Sequence, residues 1–250
     1  MRFVEFGDKK NPKILLIHGY GVSWKMWTSQ INVLQKDYQV ILPVLDGHDE
    51  ENNSDFISVQ ESAQKIINYI EMNYNSSVFA ICGSSLGGTI AFEILAQNRL
   101  KVEKAIIDAG PAAPFNKLFI RFAIIYRSIL NYLIRKRNNL AIKQLENSYL
   151  PKEAVEDTIN ICSRMSSKTY KNVHLSCFTY ELPLSIKDTK TDISYWYGSK
   201  EAFLFKKSLK LISQTLPNVK IEVFKGYTHG ELCIANPSLF LEKCYEFFKR

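Results

Sequence analysis

The chain has 250 residues, 46% of them hydrophobic, which is enough to bury the core of a single globular domain. The formal net charge is +7, and the Lys and Arg residues are spread along the chain, with one local cluster at Arg135-Lys136-Arg137. This distribution favours a solvated basic surface over a nucleic-acid interface. Five widely spaced cysteines without a Cys-x-x-Cys pair indicate neither a disulfide framework nor a zinc site. No apolar signal core follows the first residues, so we expect a cytoplasmic protein.

Strand and helix patterns alternate along most of the chain. Short apolar runs rich in β-branched residues predict strands, and apolar positions three and four residues apart predict helices. The predicted strands are 13–17, 38–42, 78–82, 104–108, 193–197 and 220–224, and the predicted helices are 24–35, 59–73, 86–97, 204–215 and 238–249. This order predicts an α/β fold with a mostly parallel twisted sheet and helices on both faces.

The run Gly83-Ser84-Ser85-Leu86-Gly87 lies between a predicted strand and a predicted helix. In that context a Gly-x-Ser-x-Gly pattern is typical of a nucleophile elbow, where the chain turns sharply and the serine hydroxyl stands clear of the sheet. Glycines are needed on both sides because a Cβ there would collide with the neighbouring strand or helix. We therefore predict that Ser85 is a nucleophile.

A second motif, His18-Gly19-Tyr20-Gly21, ends the first predicted strand. Together with the serine motif it resembles the α/β-hydrolase superfamily of serine esterases and lipases. The resemblance implies an α/β-hydrolase fold, with the backbone N–H groups of Tyr20 and Leu86 forming an oxyanion hole and Gly19 beside the substrate. It also implies that His18 fixes its own loop, because the family's catalytic histidine follows the nucleophile in chain order.

The same chain order implies that His229, in a loop after the last predicted strand, is the general base. By comparison, His48 is interpreted as structural and His174 is given no role. Glu201 follows the strand 193–197 at the position where relatives carry Gly-x-x-Asp, and its carboxylate can accept the Nδ1 hydrogen bond of the imidazole. Asp108, at the end of the strand 104–108, is the alternative acid, since some relatives place it there.

The alternation of strands and helices breaks between residues 111 and 187, where the pattern is mostly helical. The resemblance implies that 111–187 is a cap over an active site in a core domain formed by 1–110 and 188–250. Within the cap, a broad apolar face indicates a helix. Its apolar residues are Leu118, Phe119, Phe122, Ala123, Ile125, Tyr126, Ile129, Leu130, Leu133 and Ile134, and Arg121, Arg127 and Arg135 fall on the remaining side.

This helix is expected to roof the pocket, with Phe122, Ile125 and Tyr126 lining it. An interfacial helix touching anionic lipid is the alternative. A transmembrane helix is disfavoured because arginines lie inside a stretch barely long enough to span a bilayer.

The implied activity is that of a serine hydrolase cleaving an ester or thioester with an apolar acyl or alcohol group, without metal or organic cofactor. Carboxylesterase is the leading expected activity, and thioesterase and lipase activities are the next candidates. Ser85 stands where haloalkane dehalogenases and epoxide hydrolases carry an aspartate, which excludes that chemistry. A non-hydrolytic ligand receptor, or a cofactor-free lyase or oxygenase, remains open. No nucleic-acid partner is expected, and the oligomeric state is left open.

Overall fold

The computed structural model describes residues 1–249. Seven strands form one sheet in the order β1-β3-β2-β4-β5-β6-β7, in which β1 pairs antiparallel with β3 and the other pairs are parallel. The strands are β1 (Arg2–Phe6), β2 (Lys13–Ile17), β3 (Gln39–Val44), β4 (Ser77–Ser84), β5 (Lys101–Asp108), β6 (Asp192–Gly198) and β7 (Lys220–Phe224). The helices are α1 (Thr28–Leu34), α2 (Val59–Tyr74), α3 (Leu86–Ala96), α4 (Lys117–Arg135), α5 (Asn139–Glu146), α6 (Lys152–Arg164), α7 (Ser167–Phe178), α8 (Ala202–Thr215), α9 (Glu231–Ala235) and α10 (Pro237–Phe248).

The predicted α/β fold with its mostly parallel sheet is confirmed, with differences at single elements. Each of the six predicted strands is present, although β4 and β5 are several residues longer. Strand β1 escaped prediction because its residues are only half-buried and its place is decided by pairing with β3. The predicted helix 24–35 divides into a 3-10 turn, Trp24–Trp27, and α1.

Hydrophobic side chains pack on both faces of the sheet. On one face, a core forms among the sheet, α2, α3 and α8, and includes Ile66, Phe92 and Ile212. On the other face, α1 and α10 pack with the sheet around Trp196 and Phe240. Parallel strands that are covered on both sides are expected to be almost continuously apolar, as β3 and β4 are.

The order of the sheet brings the reactive candidates to one edge. The strands β2, β4, β5, β6 and β7 run parallel, so the loops that follow them emerge at their shared carboxyl edge. Ligands of open α/β sheets bind at this edge. The helices α4 to α7 connect β5 to β6 beside it, and α4 packs on α6 and α7. No helix within residues 1–249 has the length and apolar character needed to cross a membrane.

Candidate active site

The turn between β4 and α3 holds Ser85 in a strained backbone conformation, with φ 54° and ψ −114°. Such positive φ values are uncommon outside glycine and mark strain that the surrounding fold must compensate. A Cβ on Gly83 would collide with the carbonyl oxygen of Gly87, and a Cβ on Gly87 would collide with that of Ile17. The turn also holds through a hydrogen bond of 2.7 Å from the Ser85 N–H to the Asp108 carbonyl.

Ser85, His229 and Glu201 form one chain of hydrogen bonds. The Oγ atom of Ser85 lies 2.7 Å from Nε2 of His229, and Nδ1 of His229 lies 2.6 Å from Oε2 of Glu201. Because an ionised carboxylate can only accept, the proton of a neutral imidazole sits on Nδ1, which leaves Nε2 free to accept from the serine. In this tautomer the imidazole can take the proton of the serine hydroxyl.

The carboxylate of Glu201 is buried and held at both oxygens. Its side chain is 6% exposed, and Oε1 accepts the backbone N–H of Gly198 at 3.2 Å while Oε2 faces His229. Glu201 lies in the 3-10 turn that directly follows β6, so its longer side chain reaches back toward the end of the strand. Each oxygen of this carboxylate therefore faces a donor.

Asp108, the alternative acid, has a different partner. Its Oδ2 accepts a hydrogen bond of 3.0 Å from the hydroxyl of Ser84, at the end of the neighbouring strand. Burial raises the pKa of Asp108 to about 6, an effect opposed by the nearby His229 and by the Ser84 hydrogen bond. Asp108 therefore lies close to the imidazole without being bonded to it.

The loop that carries His229 is fixed on both sides. Glu231 accepts hydrogen bonds from the Thr228 N–H at 2.8 Å and from the Thr228 hydroxyl at 3.0 Å, at the start of α9. Gly230 follows His229 with a φ of 71°. The hydroxyl of Tyr149, on the segment between α5 and α6, donates to the backbone carbonyl of His229. These contacts hold the imidazole over the serine.

The N–H groups of Tyr20 and Leu86 have no hydrogen-bond acceptor within residues 1–249. Leu86 is the first residue of α3, where backbone N–H groups lack partners inside the helix and carry the positive end of its dipole. Gly19 packs beside the serine, since a Cβ on it would lie 3.5 Å from the Cβ of Ser85. This arrangement is compatible with the oxyanion hole, which stays a prediction.

Two cavities adjoin the catalytic candidates. Each is lined by Ser85 and His229 and also by Tyr20 and Arg127. The larger cavity has a volume of about 400 Å³ and includes Gly19 among its walls. The smaller has a volume of about 180 Å³. Its walls are mostly apolar and include Leu86, Phe115, Phe119, Phe178, Leu204 and Phe205.

Three residues that were expected in the pocket lie elsewhere. Phe122, Ile125 and Tyr126 are 63%, 48% and 60% exposed and line neither cavity. The expectation was wrong because helical periodicity shows which residues share a face, but not what that face contacts. A neighbouring face of α4 is turned to the cavities, and it carries Phe119, Ala123, Arg127, Leu130 and Ile134.

A family model described as alpha/beta hydrolase fold matches residues 12–153, which is more than half of the chain. The chain belongs to this family. Monoacylglycerol lipase ABHD6 from Bos taurus is 29% identical over 83 residues, 32% of this chain and 25% of the lipase. Epoxide hydrolase 3 from Xenopus tropicalis is 26% identical over 113 residues, 44% of this chain and 30% of that protein. The chain thus matches only about a quarter to a third of the length of these relatives.

A solved structure shares the fold over nearly all of the chain. The structure of a carboxylesterase from the thaumarchaeon Nitrososphaera gargenis superposes with a TM-score of 0.80, covering 99% of this chain and 93% of that chain at 17% identity. At this identity the likeness establishes the shared fold.

The other three histidines of this α/β-hydrolase chain are buried, and each forms a hydrogen bond with a backbone carbonyl close to it in the chain. His18 bonds through Nδ1 to the Gly19 carbonyl at 2.9 Å and through Nε2 to the Leu45 N–H at 3.2 Å. Burial lowers the pKa of His18 to about 4, of His48 to about 3 and of His174 to about 4. Burial thus favours the neutral form of all three imidazoles.

Sequence reasoning missed two residues that the α/β-hydrolase fold brings to the site. Arg127 was expected on the outer side of α4, yet its guanidinium carbon lies 5.9 Å from the centre of the Tyr20 ring. Tyr149 is 80 residues away from His229 in the chain, and no local signal points to their contact.

Proposed function

We propose that this α/β-hydrolase is a serine hydrolase that cleaves carboxylic esters or thioesters. The observation that carries the proposal is the continuous hydrogen-bonded chain from Ser85 through His229 to Glu201, at 2.7 and 2.6 Å. A strained serine, a histidine in the accepting tautomer and a buried carboxylate together support nucleophilic acyl transfer.

In the proposed reaction, the Oγ atom of Ser85 attacks the carbonyl carbon while Nε2 of His229 takes the hydroxyl proton. Glu201 stabilises the resulting imidazolium, and the N–H groups of Tyr20 and Leu86 donate to the oxyanion. The bond to the leaving alcohol or thiol then breaks, and His229 returns its proton to that group. Water hydrolyses the acyl-enzyme by the same steps, which releases the acid and restores Ser85.

The two cavities support a substrate with two arms that meet at the carbonyl carbon. One arm, the acyl group, and the other, the alcohol or thiol, would occupy different cavities on either side of Ser85. The aromatic walls of the cavity of about 180 Å³ favour an apolar group there. In this proposal the helices α4 to α7 act as a cap that excludes water from the reacting bond.

The identity of the nucleophile favours an ester substrate over an epoxide. Both a monoacylglycerol lipase and an epoxide hydrolase are similar to part of this chain. The epoxide hydrolases of this superfamily use an aspartate nucleophile, whereas this chain carries Ser85 at that position. Ester or thioester hydrolysis is therefore the chemistry that we propose.

The test is a panel of p-nitrophenyl esters with acyl chains of 2 to 12 carbons, together with an acyl thioester. The protein and its Ser85→Ala variant would be compared, with Ser84→Ala as a matched control one residue away. We expect turnover that Ser85→Ala abolishes and Ser84→Ala retains to within about tenfold, and an acyl adduct on Ser85 by mass spectrometry. Tight ligand binding without any turnover or adduct would favour the receptor alternative.

A further inference from the structure

Helix α4 presents a continuous apolar surface to solvent. At 3.6 residues per turn, its exposed large side chains fall within an arc of about 120°. They are Leu118, Phe122, Ile125, Tyr126, Ile129 and Tyr132, and each is between 48% and 63% exposed. Exposed apolar residues that occur singly are ordinary, whereas a contiguous group on one helix indicates a surface that is covered by something else. We call this group the α4 stripe.

The charged residues of α4 and its flanking segments are all basic. Residues 109–145 contain seven Lys and Arg residues and no Asp or Glu. The whole chain has 32 basic and 25 acidic residues, so the remainder of the chain has 25 of each and this segment accounts for the full net charge of +7. Lys117, Arg121 and Arg135 flank one margin of the α4 stripe, and Lys136 and Arg137 extend the charge past the end of the helix.

The neighbouring face of α4 belongs to the candidate active site. Phe119 and Ala123 line the smaller cavity, and Arg127 lines both cavities. A surface that covered the α4 stripe would therefore lie beside the cleft of Ser85. The α4 stripe and one wall of the cleft are thus adjoining faces of the same helix.

We propose that the α4 stripe docks on the surface of an anionic lipid membrane, with the helix axis parallel to that surface. An apolar face with basic residues at its margin has the composition of an interfacial helix, since the side chains enter the acyl boundary while the cations meet lipid phosphates. Pairing of two α4 stripes from two copies of the chain is disfavoured, because each copy would bring the basic residues at the margin of its stripe, and residues 109–145 contain no acidic residue that could pair with them. This docking is independent of the hydrolase activity proposed above.

The test measures flotation of the protein with phosphatidylcholine vesicles and with vesicles containing about one third phosphatidylglycerol. The apolar variant is Phe122→Ser with Ile129→Ser, and its matched control is Met72→Ser with Leu184→Ser, at residues that are also exposed. The charge variant replaces Arg135, Lys136 and Arg137 by Gln. Its control replaces Lys206, Lys207 and Lys210, three exposed cations on α8, by Gln.

We expect binding to the anionic vesicles that weakens with added salt and is much weaker on phosphatidylcholine alone. Each basic residue near an anionic surface contributes about a fivefold increase in partitioning, so the charge variant should bind on the order of 100-fold more weakly. The apolar variant should lose at least about tenfold, and both controls should bind as the unmodified protein does. Thermal denaturation checks that each variant is folded.

Three results would overturn the proposal. The first is absence of binding to anionic vesicles by the folded protein, and the second is equal binding by the α4 variants and their controls. The third is a dimer in light scattering that the apolar variant converts to a monomer, since the stripe would then be covered by a second copy. Hydrolysis of a soluble ester without vesicles should be retained in every variant, so failure of docking and failure of the proposed activity are distinguishable.

Discussion

Replacing Glu201 by Gln tests the proposed acid most directly, because both oxygens of this carboxylate accept hydrogen bonds. Oε1 accepts the Gly198 N–H at 3.2 Å and Oε2 accepts Nδ1–H of His229 at 2.6 Å. A glutamine side chain has one acceptor and one donor group in the same two places. Either orientation of the amide therefore places its NH₂ group against another donor. Only the clash with His229 can be relieved by a change of tautomer.

The two orientations have different costs. If the amide oxygen stays on His229, the amide NH₂ faces the Gly198 N–H, which costs about 1–3 kcal/mol at a buried position. If the NH₂ faces His229, the imidazole must accept at Nδ1 and carry its proton on Nε2, where it can no longer take the proton of Ser85. We expect kcat to fall by about 10³- to 10⁴-fold. Such a fall corresponds to about 4–5.5 kcal/mol in the activation free energy.

Steady-state kinetics with p-nitrophenyl acetate at pH 7.5 measure this effect. Asp108→Asn is the matched control, because it makes the same carboxylate-to-amide change close to the imidazole. The amide oxygen of the Asn side chain can still accept the Ser84 hydroxyl, so we expect a loss of less than about tenfold. Since the interaction with Glu201 strengthens in the transition state, kcat and kcat/KM should fall together. A smaller loss for Glu201→Gln than for Asp108→Asn would refute this reasoning and reassign the acid.

Four further outcomes are expected. Ser85→Ala and His229→Ala should each remove nearly all esterase activity, and the double variant should be little worse in the same assay, whereas additive losses would contradict a shared mechanism. Tyr20→Phe should change kcat less than about threefold, because the proposed donor is the backbone N–H, and a far larger drop would implicate the phenol. Asp108 has a folded pKa raised to about 6, so its contribution to stability is present below pH 4 and lost as the pH rises through 6. The difference in the free energy of unfolding between Asp108→Asn and the unmodified protein, measured with denaturant, should thus shift by up to about 3 kcal/mol in favour of the variant from pH 4 to pH 8. The same difference at both pH values would exclude this titration. Gly87→Ala should destabilise the fold by about 3 kcal/mol, the upper end of the usual range for overpacking, because its Cβ collides with the Ile17 carbonyl. A thermal transition like that of the unmodified protein would show that the turn can relax.

The sequence alone determined the elements whose signals are local. Apolar runs with β-branched residues identified six strands, because a strand that is buried on both faces leaves its composition in a few consecutive residues. The turn at Ser85 was also readable, since the glycines that it requires stand two residues before and two residues after the serine. Strand β1 carries no such signal, because its edge position depends on pairing with β3.

Only the tertiary structure decided which distant groups meet. Glu201 and Asp108 both follow strands at the same edge of the sheet, and three-dimensional distances alone show that Glu201 bonds to His229. The tertiary structure likewise decided which face of α4 is turned to the cleft and which to solvent. Periodicity grouped its apolar residues correctly, but the packing of α4 on α6 and α7 turned Phe122 to solvent and Arg127 to the cleft. A helical period defines a face, and only the neighbours of that face define what it contacts.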